Sequence, residues 1–236
     1  MATKRIPKQK IIVVIAEKGG VGKSTIAIQT ACTLLLSGET VKLVDTDPVQ
    51  NCSLFAQMRN EAGISPALEV LSMREGDPTP AILRERESCD YLVVDVRAGD
   101  YANMRRFVEI GDLVLIPTEP SIFATHSAIT FLQGITSLAE QLKRPIPAIA
   151  FLNKVNTQRG GAAKAERAIE TLREHCPEIT VIEEFLAIRT AYEEGPALGK
   201  SVHEMPTRVG GAAAQEFTSL LRASLGALQK KLKAKA

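Results

Sequence analysis

The run IIVVIAEKGGVGKST, Ile11 to Thr25, leaves a chain little choice of local structure: six apolar residues, a glycine-rich loop, and a helix-forming segment in immediate succession. A strand that feeds such a loop into a helix N-terminus lines up backbone N–H groups around an anion, where the helix dipole also favours negative charge. The amides of Gly19, Gly20, Val21, Gly22, Lys23 and Ser24 form the cradle, and the glycines allow close approach and positive φ. In this reading Lys23 reaches the β and γ phosphates, the Ser24 hydroxyl ligates Mg²⁺, and Thr25 adds a donor for the α phosphate. The pattern G-x-x-x-x-G-K-[ST] would place glycine at position 17, where this chain has Glu17. It also carries a second lysine, Lys18, where one lysine is enough to hold a nucleotide.

Apolar runs of strand length alternate with segments of helical period along the chain, which predicts an α/β fold with a mostly parallel, twisted sheet flanked by helices. Strands are expected at Lys10–Ala16, Val41–Asp45, Tyr91–Val96, Leu113–Pro117, Ala148–Asn153 and Thr180–Ile182. Their Val, Ile and Leu content suits strands covered on both faces. Helices are expected at Lys23–Ser37, Tyr101–Ile110, Ser121–Leu142 and Gly161–His175. The region Gly63–Glu87, with Pro66, Pro78 and Pro80, reads as short helices joined by turns. With 236 residues, 45% of them hydrophobic, the chain can build one sizeable core, so residues 1–236 are expected to form a single domain with a basic extension at 1–9.

Two carboxylates, Asp45 and Asp47, end a predicted strand at VDTDP, and Asp95 ends another at YLVVD. Open parallel sheets bind ligands at that edge. One such carboxylate can hold the Mg²⁺ shell through water, and another can orient an attacking water. Cys32, Cys52, Cys89 and Cys176 are far apart with no C-x-x-C spacing, which reads as reduced core thiols. No apolar run approaches the roughly 20 residues that span a bilayer. The start, MATKRIPKQK, is basic but leads into a strand without a small-residue cleavage site, so a cytoplasmic protein is expected.

The segments KGGVGKST, LVDTDPVQN, DYLVVD, LVLIPTEPS, FLNKV and IRTAYEEGPALGKSV together resemble the ParA/MinD family of deviant-Walker ATPases, from about Ile11 to Val202. The resemblance implies a P-loop NTPase domain with a deviant Walker A motif, and ATP with Mg²⁺ as cofactors. In that family the extra lysine, here Lys18, reaches across a nucleotide-sandwich homodimer to the phosphates of the other subunit. By the same resemblance Asp45 belongs to the Mg²⁺ shell and switch region, Asp47 positions the attacking water, and Asp95 is the Walker B carboxylate. Asn153 would hydrogen-bond the adenine, and Pro117 and Pro120 are structural. The chain departs from the family's pattern at Arg97, where proline is frequent, and at Glu17, where Gln or Asn is common.

Within that family three readings stand. The first is a short ParA-type ATPase that binds nonspecific DNA as an ATP dimer and partitions or positions a plasmid, chromosome or other cargo. A ParB-like or other adaptor protein would release it by stimulating hydrolysis, and the protein would be nucleoid-associated. The second is a MinD-like, membrane-associated spatial regulator, and the third a biosynthetic ATP-dependent enzyme. At the C-terminus, Phe217, Leu220, Leu221, Leu225, Leu228 and Leu232 form one stripe at helical spacing, either a final helix packed on the domain or an amphipathic membrane anchor. The absence of a linker before it favours packing within the segment 205–236, and DNA over membrane. Arg189, Arg208 and Arg222 resemble the DNA-contacting surface of short ParA proteins, with Lys230, Lys231, Lys233 and Lys235 as additions. No paired cysteines of the reductase-type relatives can be identified from spacing.

Overall fold

A computed structural model describes residues 10–158 and 160–233, with side chains described for all of these except 101, 102 and 230–233. Its strands are β1 (Lys10–Val14), β2 (Val41–Asp45), β3 (Glu69–Ser72), β4 (Tyr91–Asp95), β5 (Leu113–Thr118), β6 (Ala148–Leu152) and β7 (Thr180–Val181). Its helices are α1 (Lys23–Leu36), α2 (Asn51–Glu61), α3 (Thr79–Glu85), α4 (Tyr101–Ile110), α5 (Ile122–Gln141), α6 (Gly161–His175), α7 (Ala191–Ala197) and α8 (Thr207–Lys233). All strand pairs are parallel, in the order β3-β2-β4-β1-β5-β6-β7.

The central strand β1 explains why its sequence is apolar without alternation. Ile11, Val13 and Ile15 join a core with α4, α5 and α6, whereas Ile12 and Val14 join a second core with α1, α2 and α8. Burial on both faces leaves no polar position after Lys10 in the strand. β1 lies between β4 and β5, with Val14 opposite both Asp95 and Leu115. The chain winds outward from β1 to β3, returns to β4, then proceeds on the other side to β7. The crevice at the carboxyl ends of β1 and its neighbours is therefore where a ligand site is expected.

The six expected strands are present, and the four expected helices coincide with α1, α4, α5 and α6 to within a residue at each end. The region Gly63–Glu87 differs from expectation. It contains a seventh strand, β3, before α3. β3 is an edge strand paired only with β2, half-exposed at best, so its EVLS sequence lacks the apolar run that marks the inner strands. The C-terminal stripe packs on the domain: Phe217, Leu220, Leu221 and Leu228 are buried in the core with α1 and α2, and Leu225 is partly buried against it. The basic extension 1–9, Leu232 and the four tail lysines lie outside the described residues and side chains.

A buried cation ties α2 to the C-terminal region. Arg59 is 0% exposed and donates from Nη1 and Nη2 to the Glu204 carboxylate, at 2.8 Å each. It also donates to the carbonyls of Gly199 and Pro66. Gly199 has φ +64°, and a Cβ there would lie 2.5 Å from the Arg59 backbone, so this approach admits only glycine. Glu204 in turn caps the turn Val202–Glu204 through Ser201, and the buried Gln29 of α1 accepts from the Val202 amide at 3.0 Å.

Candidate nucleotide site

The loop between β1 and α1 is held by its carbonyls. Lys23 Nζ donates to Lys18 O at 3.1 Å, Lys154 Nζ donates to Gly20 O, and Asn153 Nδ2 donates to Val21 O at 2.8 Å. With three carbonyls turned outward and engaged, the intervening amides are left for a ligand. Among the described residues none of the amides of Gly19–Gly22 donates to a backbone carbonyl. Gly20 and Gly22 hold φ of +81° and +94°, and a Cβ on Gly22 would meet Asn153 Nδ2 at 2.4 Å. These two glycines are required by geometry, and the result is an anion nest at the N-terminus of α1.

The two lysines occupy different environments. Lys23 is 7% exposed, and burial lowers its pKa against the opposing pull of Asp95 and then Asp47. That places both carboxylates around the buried ammonium. Lys18 stands at the rim with its side chain 45% exposed, and its Nζ lies 4.0 Å from Glu119 Oε2. Glu119 also faces Lys154 at 3.5 Å, so one carboxylate bridges two lysines beside the loop. Glu17, at the position where the common pattern has glycine, accepts from Ser127 Oγ of α5 at 2.9 Å. The substitution thus anchors the loop to a neighbouring helix.

Asp45 and Asp95 lie opposite each other in neighbouring strands and are both buried. Asp45 organises the turn after β2: Oδ1 accepts from the Asp47 amide at 3.1 Å, and Oδ2 accepts from the Ser53 amide and hydroxyl at 2.9 and 3.0 Å. Asp47 accepts from the Val49 amide at 2.9 Å, which fixes a tight turn into α2. Asp95 Oδ2 accepts from the Cys52 thiol at 3.3 Å, and Oδ1 has no partner. Burial raises the Asp95 carboxyl to about 6, with the Asp45 charge adding to it and Ser24, Cys52 and Lys23 opposing.

These residues fit a divalent cation. A buried carboxylate oxygen without a donor, here Asp95 Oδ1, costs free energy unless something occupies it, and the Ser24 side chain is close enough to the Asp95 carboxyl to oppose its raised pKa. Ser24 and Asp95 would hold Mg²⁺ or its water, and Asp45 keeps capacity on Oδ1. The ion would supply charge neutralisation for the phosphates. Because an ionised Asp95 is needed, divalent-ion affinity should fall about tenfold per pH unit once the pH drops below about 6. Mn²⁺ titration followed by paramagnetic resonance, in the presence of ADP, checks this; an affinity level from pH 7 to 5 would exclude Asp95 as the titrating ligand.

The structure brings together Lys18, Gly19–Thr25, Asp45, Asp47, Asp95 and Asn153 at one sheet edge. Asn153 is buried, and its amide nitrogen latches the loop at Val21. Arg189 is engaged differently from Arg208 and Arg222. It is ion-paired with Glu216 of α8, whereas Arg208 and Arg222 are exposed on α8. Sequence reasoning missed Glu119, Lys154 and Ser53, and took Cys52 for a core thiol like the other three. Lys154 could have been found beside Asn153 in FLNKV, but the Cys52–Asp95 contact spans 43 residues and leaves no local signal.

Comparison with known proteins agrees with this geometry. Residues 12–201 match the CobQ/CobB/MinD/ParA nucleotide binding domain. The chain is 29% identical over 206 residues to Protein ParA of Rhizobium radiobacter, covering 86% of this chain and 90% of that protein. It is 30% identical to the maintenance of carboxysome distribution protein A of Gloeobacter kilaueensis, covering 82% and 83%. Among solved structures, a Cyanothece McdA–ATP complex superposes with a TM-score of 0.74 at 17% identity, covering 94% of this chain and 98% of that one. The Pyrococcus horikoshii MinD complexed with Mg-ADP superposes at 0.66 and 18% identity, covering 90% and 95%. With the family model matched over most of its length, this chain belongs to the MinD/ParA nucleotide-binding family and is an ATPase of that family.

Proposed function

We propose that this ATPase dimerises in its ATP form across the loop face, binds duplex DNA without sequence preference through α8, and positions a cargo until an adaptor protein stimulates hydrolysis. The observation that carries the reading is Lys18. The buried Lys23 serves the phosphates of its own subunit, whereas Lys18 is on the rim with Glu119 beside its ammonium. A cation in that position stabilises charge on phosphates brought by a second subunit, and acts only once the two have docked. Asp47 then orients the attacking water, Lys23 and the loop amides hold the phosphates, and Asn153 keeps the loop in shape beside the base. Relatives named for partition and positioning, including the chromosome-partitioning ATPase Soj of Thermus thermophilus, support this over a biosynthetic role.

The DNA surface in this reading is α8. Arg208 and Arg222 are 14 positions apart, close to four turns, so they lie about 21 Å apart near one face of the helix. Arg189 would contribute after exchanging Glu216 for a phosphate. The stripe that a membrane-anchored regulator would insert is buried here: Phe217 is 0% and Leu220 1% exposed. Among the described residues no helix is long and apolar enough to cross a membrane.

The test uses Asp47→Ala, which is expected to retain ATP and accumulate the dimer because water positioning matters most in the transition state. With ATP this variant should shift a random duplex, with a log–log salt slope of about −5.4 from six phosphate contacts per dimer at roughly −0.9 each. Adding Arg208→Glu and Arg222→Glu should abolish the shift and leave dimerisation intact. Sedimentation with anionic liposomes and no DNA shift at low salt would reverse the reading.

A further inference from the structure

Helices α5 and α6 lie side by side on one face of the sheet, and a groove of about 880 Å³ runs between them. Ile122, His126 and Ile129 line one wall and Lys164, Arg167 and Thr171 the other, in steps of three or four, so each helix presents one continuous stripe. The charges of α6 are sorted by this arrangement. Its three glutamates, Glu166, Glu170 and Glu174, are absent from the lining, while Lys164, Arg167 and His175 belong to it. His126 adds a further imidazole from α5, and the lining contains no carboxylate.

The cations of the groove have no carboxylate partner among the described residues, although Arg167 Nε donates to Ala163 O at 3.1 Å. Arg173 of the same helix pairs with Glu183, whereas neither Lys164 nor Arg167 forms an ion pair among the described residues. Ile122 of the lining and its chain neighbour Phe123 on α5 are 80% and 82% exposed, the most exposed of the large apolar side chains among the described residues. Adjacent apolar side chains of that exposure mark contact surfaces more often than they mark ordinary surface. Lys164 also lines a neighbouring cavity of 240 Å³ with Glu119 and Lys154, the residues that flank Lys18 and hold Gly20 O. The groove therefore leads to the edge of the phosphate loop.

We propose that this groove docks an acidic amphipathic helix of a partner protein, its carboxylates on Lys164 and Arg167 and its apolar side on Ile122, Phe123 and Ile129. The proposal deepens the reading that a protein partner acts on this ATPase. Three points select the occupant. The lining sets Ile122, Ile129 and Ala168 among its cations, and phosphate gains nothing from such apolar side chains. A helix is about 10–12 Å across and fits between two helices. The stretch from Ile122 to Gln133 is about 16 Å long, which is three turns of a docked helix.

A fluorescein-labelled 14-residue helical peptide, with leucines at i, i+3, i+4 and i+7 and glutamates beside them, serves as the probe in anisotropy titrations at low salt. The acidic peptide is expected to bind at least tenfold more tightly than its Glu→Gln counterpart. Lys164→Glu with Arg167→Glu, and separately Ile122→Ser with Phe123→Ser, should each weaken it at least tenfold. ATP-dependent dimerisation and unstimulated hydrolysis should be unchanged in both pairs, so loss of docking is read separately from loss of the ATPase cycle. Absence of binding, equal binding to Lys164→Glu/Arg167→Glu, or displacement of the peptide by a random DNA duplex through these same residues overturns the proposal.

Discussion

Lys18→Gln is expected to hydrolyse ATP about 10²–10³-fold more slowly than the parent chain while binding ATP as a monomer with nearly unchanged affinity. The magnitude is that of removing one preorganised cation or donor from a phosphoryl or oxyanion site. The separation between binding and turnover follows from exposure. Lys23 is 7% exposed inside the nest, and Lys18 has a side chain 45% exposed at its rim. The ground-state complex of one subunit therefore rests on Lys23 and the amides, and Lys23→Ala should lose nucleotide affinity outright. Phosphate release measured beside light scattering with a nonhydrolysable analogue separates the two variants. Turnover that survives in Lys18→Gln, with the ATP dimer intact, would remove the rim lysine from the mechanism.

Arg59→Met is expected to lower the unfolding free energy by about 3–5 kcal/mol, because it strands the Glu204 carboxylate beside an apolar side chain. Arg59 is fully buried and serves three acceptors, namely Glu204, Gly199 O and Pro66 O. The double replacement Arg59→Met/Glu204→Met should recover much of the loss, since neither charge then remains in the interior. Urea midpoints of the two single variants and the double variant measure this coupling directly. A pH arm follows from Glu204, where burial alone would raise the carboxyl but the hydrogen bonds from Arg59 and Ser201, with the Arg59 charge, together outweigh it and lower it. A carboxyl depressed in the folded state contributes stability above its ordinary range and loses that contribution as the pH falls through the folded value. Wild type should therefore lose more stability on acidification below the ordinary Glu range than the double variant does.

The inner strands were legible because burial on both faces forces an apolar run, as in IIVV and YLVV. The phosphate loop was legible for a similar reason, since Gly20 and Gly22 sit at φ values that few other residues tolerate. Elements whose stabilising contacts come from distant residues were not. β3 depends on β2 for its pairing, and α2 mixes polar and apolar residues in NCSLFAQMRNE, with its key side chain Arg59 satisfied 145 residues away at Glu204. Cys52 has the same character. Its sequence neighbours describe a small core residue, and only the adjacency of β2 and β4 brings the thiol to Asp95. Arg189 shows the converse: its type suited the proposed DNA face, and nothing nearby in sequence announced Glu216 as its partner.

The position of β1 in the sheet bears on how the chain is made. β1 leaves the ribosome well before its two partners, β4 and β5, which end at Asp95 and Thr118. At roughly 5–20 residues per second the ribosome needs about 5–20 s after Val14 to deliver Thr118. Until β4 is delivered IIVVI has neither edge paired, and until β5 follows the edge that β5 covers stays open beside the loop. Nascent chains should therefore be unable to bind ATP until after β5 emerges, and the same stretch should be the principal early substrate for chaperones that hold apolar segments.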